Sequence, residues 1–400
     1  MLTQYFQPEP NFKGLPLAKA LRDRGHQVQV LTGFPNYPGG KLYNGYKLRL
    51  WRLEEMDGIK IIRVPLFPSH NRSGVLRILN YLSFGVSACI LGPWLIKKPD
   101  IVFVYNLITL GPASRAIRLF TRAKVVIDVL DLWPESVSES GMLRSRFVSR
   151  LLAWWCKHEY KAADKLIACT PGFKQNLANR GIDQAKLDMI YNWCDESSII
   201  IPEPNSVVAQ ELGFTNHFNI VFAGTMGVMQ ALDSIMDAAK LVAKEFSDVK
   251  FTFVGGGIEV DRLRNISASM GNVQFLPQMP PSEIGSVFAN ADALLVHLKD
   301  APIFEITVPS KIQAYLYAGK PILCGVRGDA AKLVRDSGGG IPFEPENAQS
   351  LVEAIRQLKQ MTPDARREMG IGGQTYYRNR LSFAKGVAEI EAVLQGALLE

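Results

Sequence analysis

The sequence predicts an α/β protein built as two doubly wound parallel-sheet domains in series, facing a cleft. Three observations carry this. At 400 residues the chain is longer than one hydrophobic core usually supports. Short apolar runs alternate with helical stretches, the pattern of a parallel sheet with crossover helices. The alternation then restarts after Pro202 and Pro204, which mark a linker. The expected domains are 1–200 and 201–375, with 376–400 a terminal helix able to pack back on the first domain.

The first domain opens on a loop, Asn11-Phe12-Lys13-Gly14, then a helix through Leu15, Leu17, Ala18 and Leu21, stopped by Gly25. Gln27 to Thr32 alternates as a strand. These are the loop, helix and second strand of a βαβ unit, so a strand is expected within Met1 to Phe6, short or truncated. Further strands fit 60–65, 101–105, 124–128 and 165–169, and helices fit 74–96, 111–121 and 144–163. The segment Ile78 to Ile96 carries no charge and has the length of a bilayer span. Asn80, Ser83, Ser87, two glycines and Pro93 weaken that reading, so a buried domain helix, an interfacial helix and a span all stay open.

In the second domain, strands fit 219–223, 250–254, 273–275 and 293–298, and helices fit 230–245 and 281–290. Phe304 to Pro321 follows the last of these strands as a polar loop and a helix stopped by Gly319 and Pro321. Ligands of open α/β sheets bind at the carboxyl ends of strands, where the next helix offers free N–H groups to an anion. Glu305, Ser310, Lys311 and Gln313 place a carboxylate, a hydroxyl, an ammonium and an amide there. The plainer alternative is a helix cap at Ser310 with a solvated lysine and glutamate.

Composition sets limits on function. Hydrophobic residues make up 47% and charged residues 21%, values of a folded chain. Five scattered cysteines, odd in number, read as free thiols in a reducing compartment. No apolar leader follows Met1, so no secretory signal peptide is expected. Residues 1–200 carry 27 Lys and Arg against 16 Asp and Glu, and the remainder carry 18 against 22. A basic first half suits an anionic membrane surface; nucleic acid is not expected, since no binding module is present.

Other motifs are weaker. Gly224-Thr225-Met226-Gly227 and Gly255-Gly256-Gly257 follow strands, where glycine lets backbone N–H groups approach a diphosphate. Neither is a dinucleotide or Walker fingerprint, and alone each is more often a turn. Asp128 and Asp131 end the 124–128 strand, where a carboxylate can orient or deprotonate a hydroxyl or simply cap a helix. Pro35-Asn36-Tyr37-Pro38 ends another strand. No histidine triad, Gly-x-Ser-x-Gly or metal-ligand pair is present.

Taken together, the order of 10–32, Asp131-Leu132-Trp133-Pro134-Glu135-Ser136, 168–171, 191–195, 224–233, 254–257, 275–298 and 309–321 resembles retaining glycosyltransferases of family 4, which have the GT-B fold. The resemblance spans nearly the whole chain. It implies a nucleotide-sugar donor, most simply a UDP-sugar, on the second domain, an acceptor on the first, and no obligatory metal or other cofactor. Donor contacts then fall on Gly224, Thr225, Gly227, Gly255, Gly256, Gln278, Met279, Ile306, Thr307, Ser310, Gln313 and Ala314. Acceptor contacts fall on Lys13, Gly14, Asn36 and Asp128, and the catalytic set is Glu305, Lys311 and Asp131.

The departures are specific. The second carboxylate of the family's Glu-x7-Glu pair is Gln313 by spacing, or Ala314 when aligned on Ala-Gly-Lys-Pro. The usual glycine-loop arginine is absent, leaving Lys311 to neutralise phosphate, and Leu130 stands where a histidine often precedes the aspartate. These features look like the branch that builds bacterial O-antigen and capsule repeat units, including N-acetyl-L-fucosamine transferases. That branch implies a polyprenyl-diphosphate-linked saccharide acceptor and a cytoplasmic enzyme, peripheral on the inner face of the plasma membrane. A UDP-sugar 2-epimerase and an inactive nucleotide-sugar-binding scaffold are the alternatives.

Overall fold

The computed structural model describes residues 1–69, 74–105, 108–135 and 145–399. Ser136 of the 131–136 motif and the first residue expected of the 144–163 helix lie outside them. The chain divides into two compact units, Met1–Ile190 with Val387–Glu400, and Tyr191–Gly386. The division falls ahead of the Pro202/Pro204 pair, and the last helix is shared between the units.

The N-terminal unit holds strands β1 (Leu2–Thr3), β2 (Gln29–Gly33), β3 (Arg52–Met56), β4 (Ile59–Val64), β5 (Ile101–Tyr105), β6 (Lys124–Val129), β7 (Lys165–Ala168) and β8 (Leu187–Met189). Their order is β3-β4-β2-β1-β5-β6-β7-β8, parallel except for the β3–β4 hairpin. The two-residue β1 pairs with both β2 and β5. Helices α1 (Leu15–Asp23), α2 (Gly74–Leu95), α3 (Gly111–Thr121), α4 (Arg146–Ala162) and α5 (Pro171–Asn179) make the connections. Phe6, Ala18, Val30, Ile59 and Ile61 form one core cluster under α1.

The C-terminal unit is regular. After α6 (Ser206–Glu211) come β9 (Phe218–Ala223), α7 (Asp233–Glu245), β10 (Val249–Val254), α8 (Val260–Ile266), β11 (Val273–Leu276), α9 (Pro281–Asn290) and β12 (Ala293–His297). Then follow α10 (Pro302–Glu305), α11 (Ser310–Ala318), β13 (Ile322–Gly325), α12 (Asp329–Asp336), β14 (Gly340–Pro342), α13 (Ala348–Gln360) and α14 (Pro363–Arg380). The last helix, α15 (Phe383–Leu399), belongs to both units. The sheet order β11-β10-β9-β12-β13-β14 is wholly parallel, so the connections change direction between β9 and β12. Both strands are buried along their length because helices cover both faces, which explains sequences that are apolar apart from Asn219 in β9 and His297 at the end of β12. A doubly wound sheet opens its ligand crevice at that change of direction, beyond the strands' carboxyl ends.

Candidate functional site

The two loops at this crevice are Gly224–Gly227, after β9, and 298–309, after β12. Met226 anchors the first by burying its side chain in the core beside Phe222 and Leu232. Its N–H donates to the Gly256 carbonyl at 2.8 Å, and the Gly224 N–H donates to the Val254 carbonyl at 2.8 Å. The two glycine loops are therefore stitched together. Gly224 has φ of +128°, a conformation closed to most side chains, and remains exposed. The Gly227 N–H is taken by the Gln230 side chain at 3.0 Å.

Lys311, on the first turn of α11, reaches this loop. A Cβ on Gly224 would lie 2.8 Å from the lysine Nζ, so the glycine makes room for the amine. The Nζ also stands 4.7 Å from the centroid of the Phe222 ring. Lys311 makes no ion pair among the described residues, and burial lowers its pKa to about 8. An ammonium held half out of water without a counter-charge is a ready partner for an anion.

The start of α11 adds to this. Side chains cap other helices here: Thr170, Asn347 and Thr362 accept from backbone N–H groups at 3.1, 3.0 and 3.2 Å. The α11 N-cap is Pro309, with no side-chain cap. Ser310 is thus exposed at the first helical position rather than capping the helix, and the first-turn dipole faces outward. Tyr315, one turn beyond Lys311, ties α11 to the end of β9: its hydroxyl accepts from Ala223 N–H at 3.0 Å.

Glu305 ends α10 with its side chain exposed. Its backbone is fixed by Gly328, at φ +64°, where any Cβ would collide with the Glu305 carbonyl. Ile306 and Thr307 follow, half-buried, and the Thr307 hydroxyl donates to Ile303 O at 2.7 Å. Gln278 is exposed near Gly256, its Oε1 3.5 Å from where a Gly256 Cβ would stand, and Met279 beside it is half-buried.

Gln313 corrects the reading by spacing. It is buried, and in the satisfied amide orientation its nitrogen donates to the Pro309 and Ser310 carbonyls at 2.8 and 3.1 Å. It secures the turn and presents nothing to a ligand. Ala314 instead shares the helix face of Ser310 and Lys311, at helical spacing.

Two groups escaped sequence reasoning. Tyr315 could have been found from its i+4 spacing to Lys311. His297, at the end of β12, is buried and accepts from Glu346 N–H at its Nε2, 2.9 Å away. Its Nδ1 must therefore carry the proton and donate to Gln230 O at 2.7 Å. Burial holds its pKa below the ordinary value, and the neutral ring clamps the loops after β9 and β14. Among the described residues no cluster of three or more His, Cys, Asp or Glu could hold a metal ion.

In the N-terminal unit the expected acceptor set is turned inward. Lys13 and Asp128 form an ion pair at 2.6 Å with both side chains fully buried. Asn36 is buried too, its amide donating to Phe34 O and its carbonyl accepting from Asn80. Gly14 is packed against the Gln7 side chain. Each charge of the pair can be buried only because the other is there, and the second Asp128 oxygen, Oδ1, is buried with no hydrogen-bond partner among the described residues. Asn36 sits beside Glu9, which accepts from the N–H groups of Phe6, Asn36 and Tyr37 and whose pKa burial raises to about 6. Asp131 behaves differently. Its side chain is exposed and has no hydrogen-bond partner among the described residues, and it lines an apolar groove whose walls raise its pKa.

Residues 15–193 match the family model for a glycosyl transferase 4-like domain, and residues 208–375 match that for glycosyl transferases group 1. WcaI of Escherichia coli (strain K12), named for a glycosyl transferase role in colanic acid biosynthesis, is 23% identical over 353 residues, covering 84% of this chain and 85% of its own. Anabaena Alr3699/HepE, solved in complex with UDP-glucose, has a TM-score of 0.69 at 17% identity over 99% of both chains. WaaG, a glycosyltransferase involved in lipopolysaccharide biosynthesis, has a TM-score of 0.65 at 17% identity over 98% of both. The two family matches between them take in most of the chain, and the solved neighbours share its GT-B fold. The chain therefore belongs to the glycosyltransferases, with a glycosyl transferase 4-like domain followed by a group 1 domain.

Proposed function

We propose that the protein is a retaining glycosyltransferase of bacterial surface polysaccharide synthesis. It moves a hexosyl or N-acetylhexosaminyl group from a UDP-sugar, such as UDP-N-acetyl-L-fucosamine, to a polyprenyl-diphosphate-linked saccharide at the inner face of the plasma membrane. One observation carries the donor assignment: Lys311, without a counter-ion among the described residues, lies against Gly224 where the sheet changes direction, beside an uncapped helix start. A diphosphate fits that charge and those N–H groups with no metal required. The UDP-glucose complex of HepE and the polysaccharide roles in the names of WcaI and WaaG support the reading.

In this mechanism the leaving diphosphate gains negative charge as the glycosidic bond breaks, and Lys311 with the α11 N–H groups stabilises that charge selectively. The acceptor hydroxyl attacks from the same face, and its proton passes to the departing phosphate oxygen. Glu305, held by its backbone, fixes the sugar.

The test is to incubate the full-length protein with a panel of UDP-sugars and a short lipid-diphosphate saccharide, weigh the products, and read the anomeric configuration by NMR. Transfer with retention is expected. Epimer formed without acceptor identifies an epimerase; UDP-sugar binding with neither transfer nor hydrolysis identifies a scaffold, the reading that the missing second carboxylate favours.

A further inference from the structure

An apolar groove of about 700 Å³ runs between α2 and α4 in the N-terminal unit. Ile78, Leu82 and Ile90 of α2 form one wall, and Leu151, Leu152 and Trp155 of α4 form the other. The volume lies in the range of sites that engulf small ligands, yet the lining is almost devoid of hydrogen-bonding groups. The groove is polarised. At one end Tyr81 and Trp133 stand with ring centroids 6.4 Å apart, and Asp131 lines the cavity beside them. Arg77, one turn before Tyr81, bears electrostatically on the same hydroxyl as Asp131 does. The buried Arg77 Nε has no hydrogen-bond partner, and Arg77 makes no ion pair among the described residues. Toward the other end the lining is Val86, Cys89, Ile90 and Pro112.

The groove opens onto more apolar surface. Val75, Leu79, Leu82, Val86, Ile90 and Trp94 recur at three- and four-residue spacing along α2, and all are exposed. Over 22 residues this stripe is about 33 Å long. Exposed Lys97 and Lys98 follow its end. Contiguous apolar surface of this kind on a folded chain marks an interaction site.

We infer that the groove seats the hydrocarbon tail of a glycosylated prenyl phosphate, with its head at the Arg77–Tyr81–Asp131 end; this rests on the lipid-linked acceptor proposed above. Two charges of opposite sign at one end, unpaired among the described residues, suit a head that carries both an anion for Arg77 and hydroxyl donors for Asp131. A peptide helix would fill the apolar walls but leave those charges unmet. At ~30 Å³ per water-sized group the cavity takes roughly 20 carbon-sized groups, several isoprene units, and a longer chain continues along the exposed stripe.

Cys89 supplies the readout, because it lines the groove and is half-exposed while the other four cysteines are buried. The rate of its alkylation by N-ethylmaleimide, read by mass spectrometry, is compared for the full-length protein alone and with inorganic diphosphate, geranylgeranyl phosphate, or anionic phospholipid liposomes. At ten times its Kd the prenyl phosphate is expected to slow alkylation about tenfold, while diphosphate alone leaves the rate unchanged. Ile90→Trp and Leu151→Trp, which fill the groove from opposite walls, are expected to abolish the protection at unchanged melting temperature and UDP affinity. No protection by the prenyl phosphate, equal protection by prenyl-free liposomes, or protection that persists in both variants overturns the inference, the second outcome assigning the face to a bilayer. Transfer onto a water-soluble saccharide without Cys89 protection sinks the groove but keeps the transferase; protection without transfer to any acceptor does the reverse.

Discussion

Lys311 shows how one side chain acquires chemistry from its surroundings. Its amine is pressed against Phe222 and the cleared face of Gly224, so its charge is costly until an anion arrives. Lys311→Ala is expected to lower turnover ~10²-fold or more at an unchanged melting temperature, as for loss of a single oxyanion donor. Steady-state kinetics beside a thermal scan checks this, and near-normal turnover would leave the diphosphate to backbone N–H groups alone. The pKa of about 8 gives a second test. The anion prefers the protonated amine, so UDP affinity should be flat between about pH 7, where its terminal phosphate is already ionised, and pH 8, and fall above it by up to about tenfold per pH unit. Calorimetry across this range should lose that dependence in Lys311→Arg, whose guanidinium stays charged. The place of Lys311, on a helix start that follows a buried strand, was legible from its position between an apolar run and Ala-Gly-Lys-Pro. The fate of Gln313 was not, because turning an amide back onto its own helix start depends on packing that spacing does not encode.

At the scale of elements, long apolar strands were readable and short or charged ones were not. β5 matches its expected bounds, being five consecutive apolar or aromatic residues. β3, Arg-Leu-Glu-Glu-Met, reads as a helix former and becomes a strand only because β4 offers it an edge. β13 and β14 have four and three residues and border glycine or proline, too little for periodicity to detect. The Lys13–Asp128 pair joins loop to strand across 115 positions, which no local pattern reveals. Asp128→Asn should therefore cost about 3–5 kcal/mol by stranding a buried ammonium, while Lys13→Met with Asp128→Leu should recover much of it; urea denaturation measures both. Helix α2 is two-faced. Asn80, Phe84, Ala88 and Gly92 pack inward while the opposite stripe stays exposed. Trp94→Ser with Val75→Ser is thus expected to weaken binding to anionic liposomes in a co-sedimentation assay without lowering the melting temperature, and salt should weaken it further.

For the whole molecule, the two-domain α/β plan was legible because alternation and its restart are written in hydrophobicity. A terminal helix able to pack back on the first domain was expected within 376–400, but the residues that make its contacts were not. Val387, Ile390 and Ala397 of α15 are buried within the N-terminal unit, and Glu391 pairs with Arg24 and His26 there at 2.6 and 2.8 Å. A fragment 1–190 should accordingly be less stable than the same residues with a 387–399 peptide added in trans, as followed by circular dichroism during urea titration. Equal stability with and without peptide would mean that the return segment contributes nothing. The order of synthesis gives this connection a further meaning. The C-terminal unit, Tyr191–Gly386, is one continuous stretch and can finish folding as it leaves the ribosome. The N-terminal unit emerges first yet waits, for on the order of 10–40 s of translation, until its last helix arrives. During that interval the apolar surface that will cover Val387 and Ile390 stands open, so the first half of the nascent chain is the part left with core exposed to solvent.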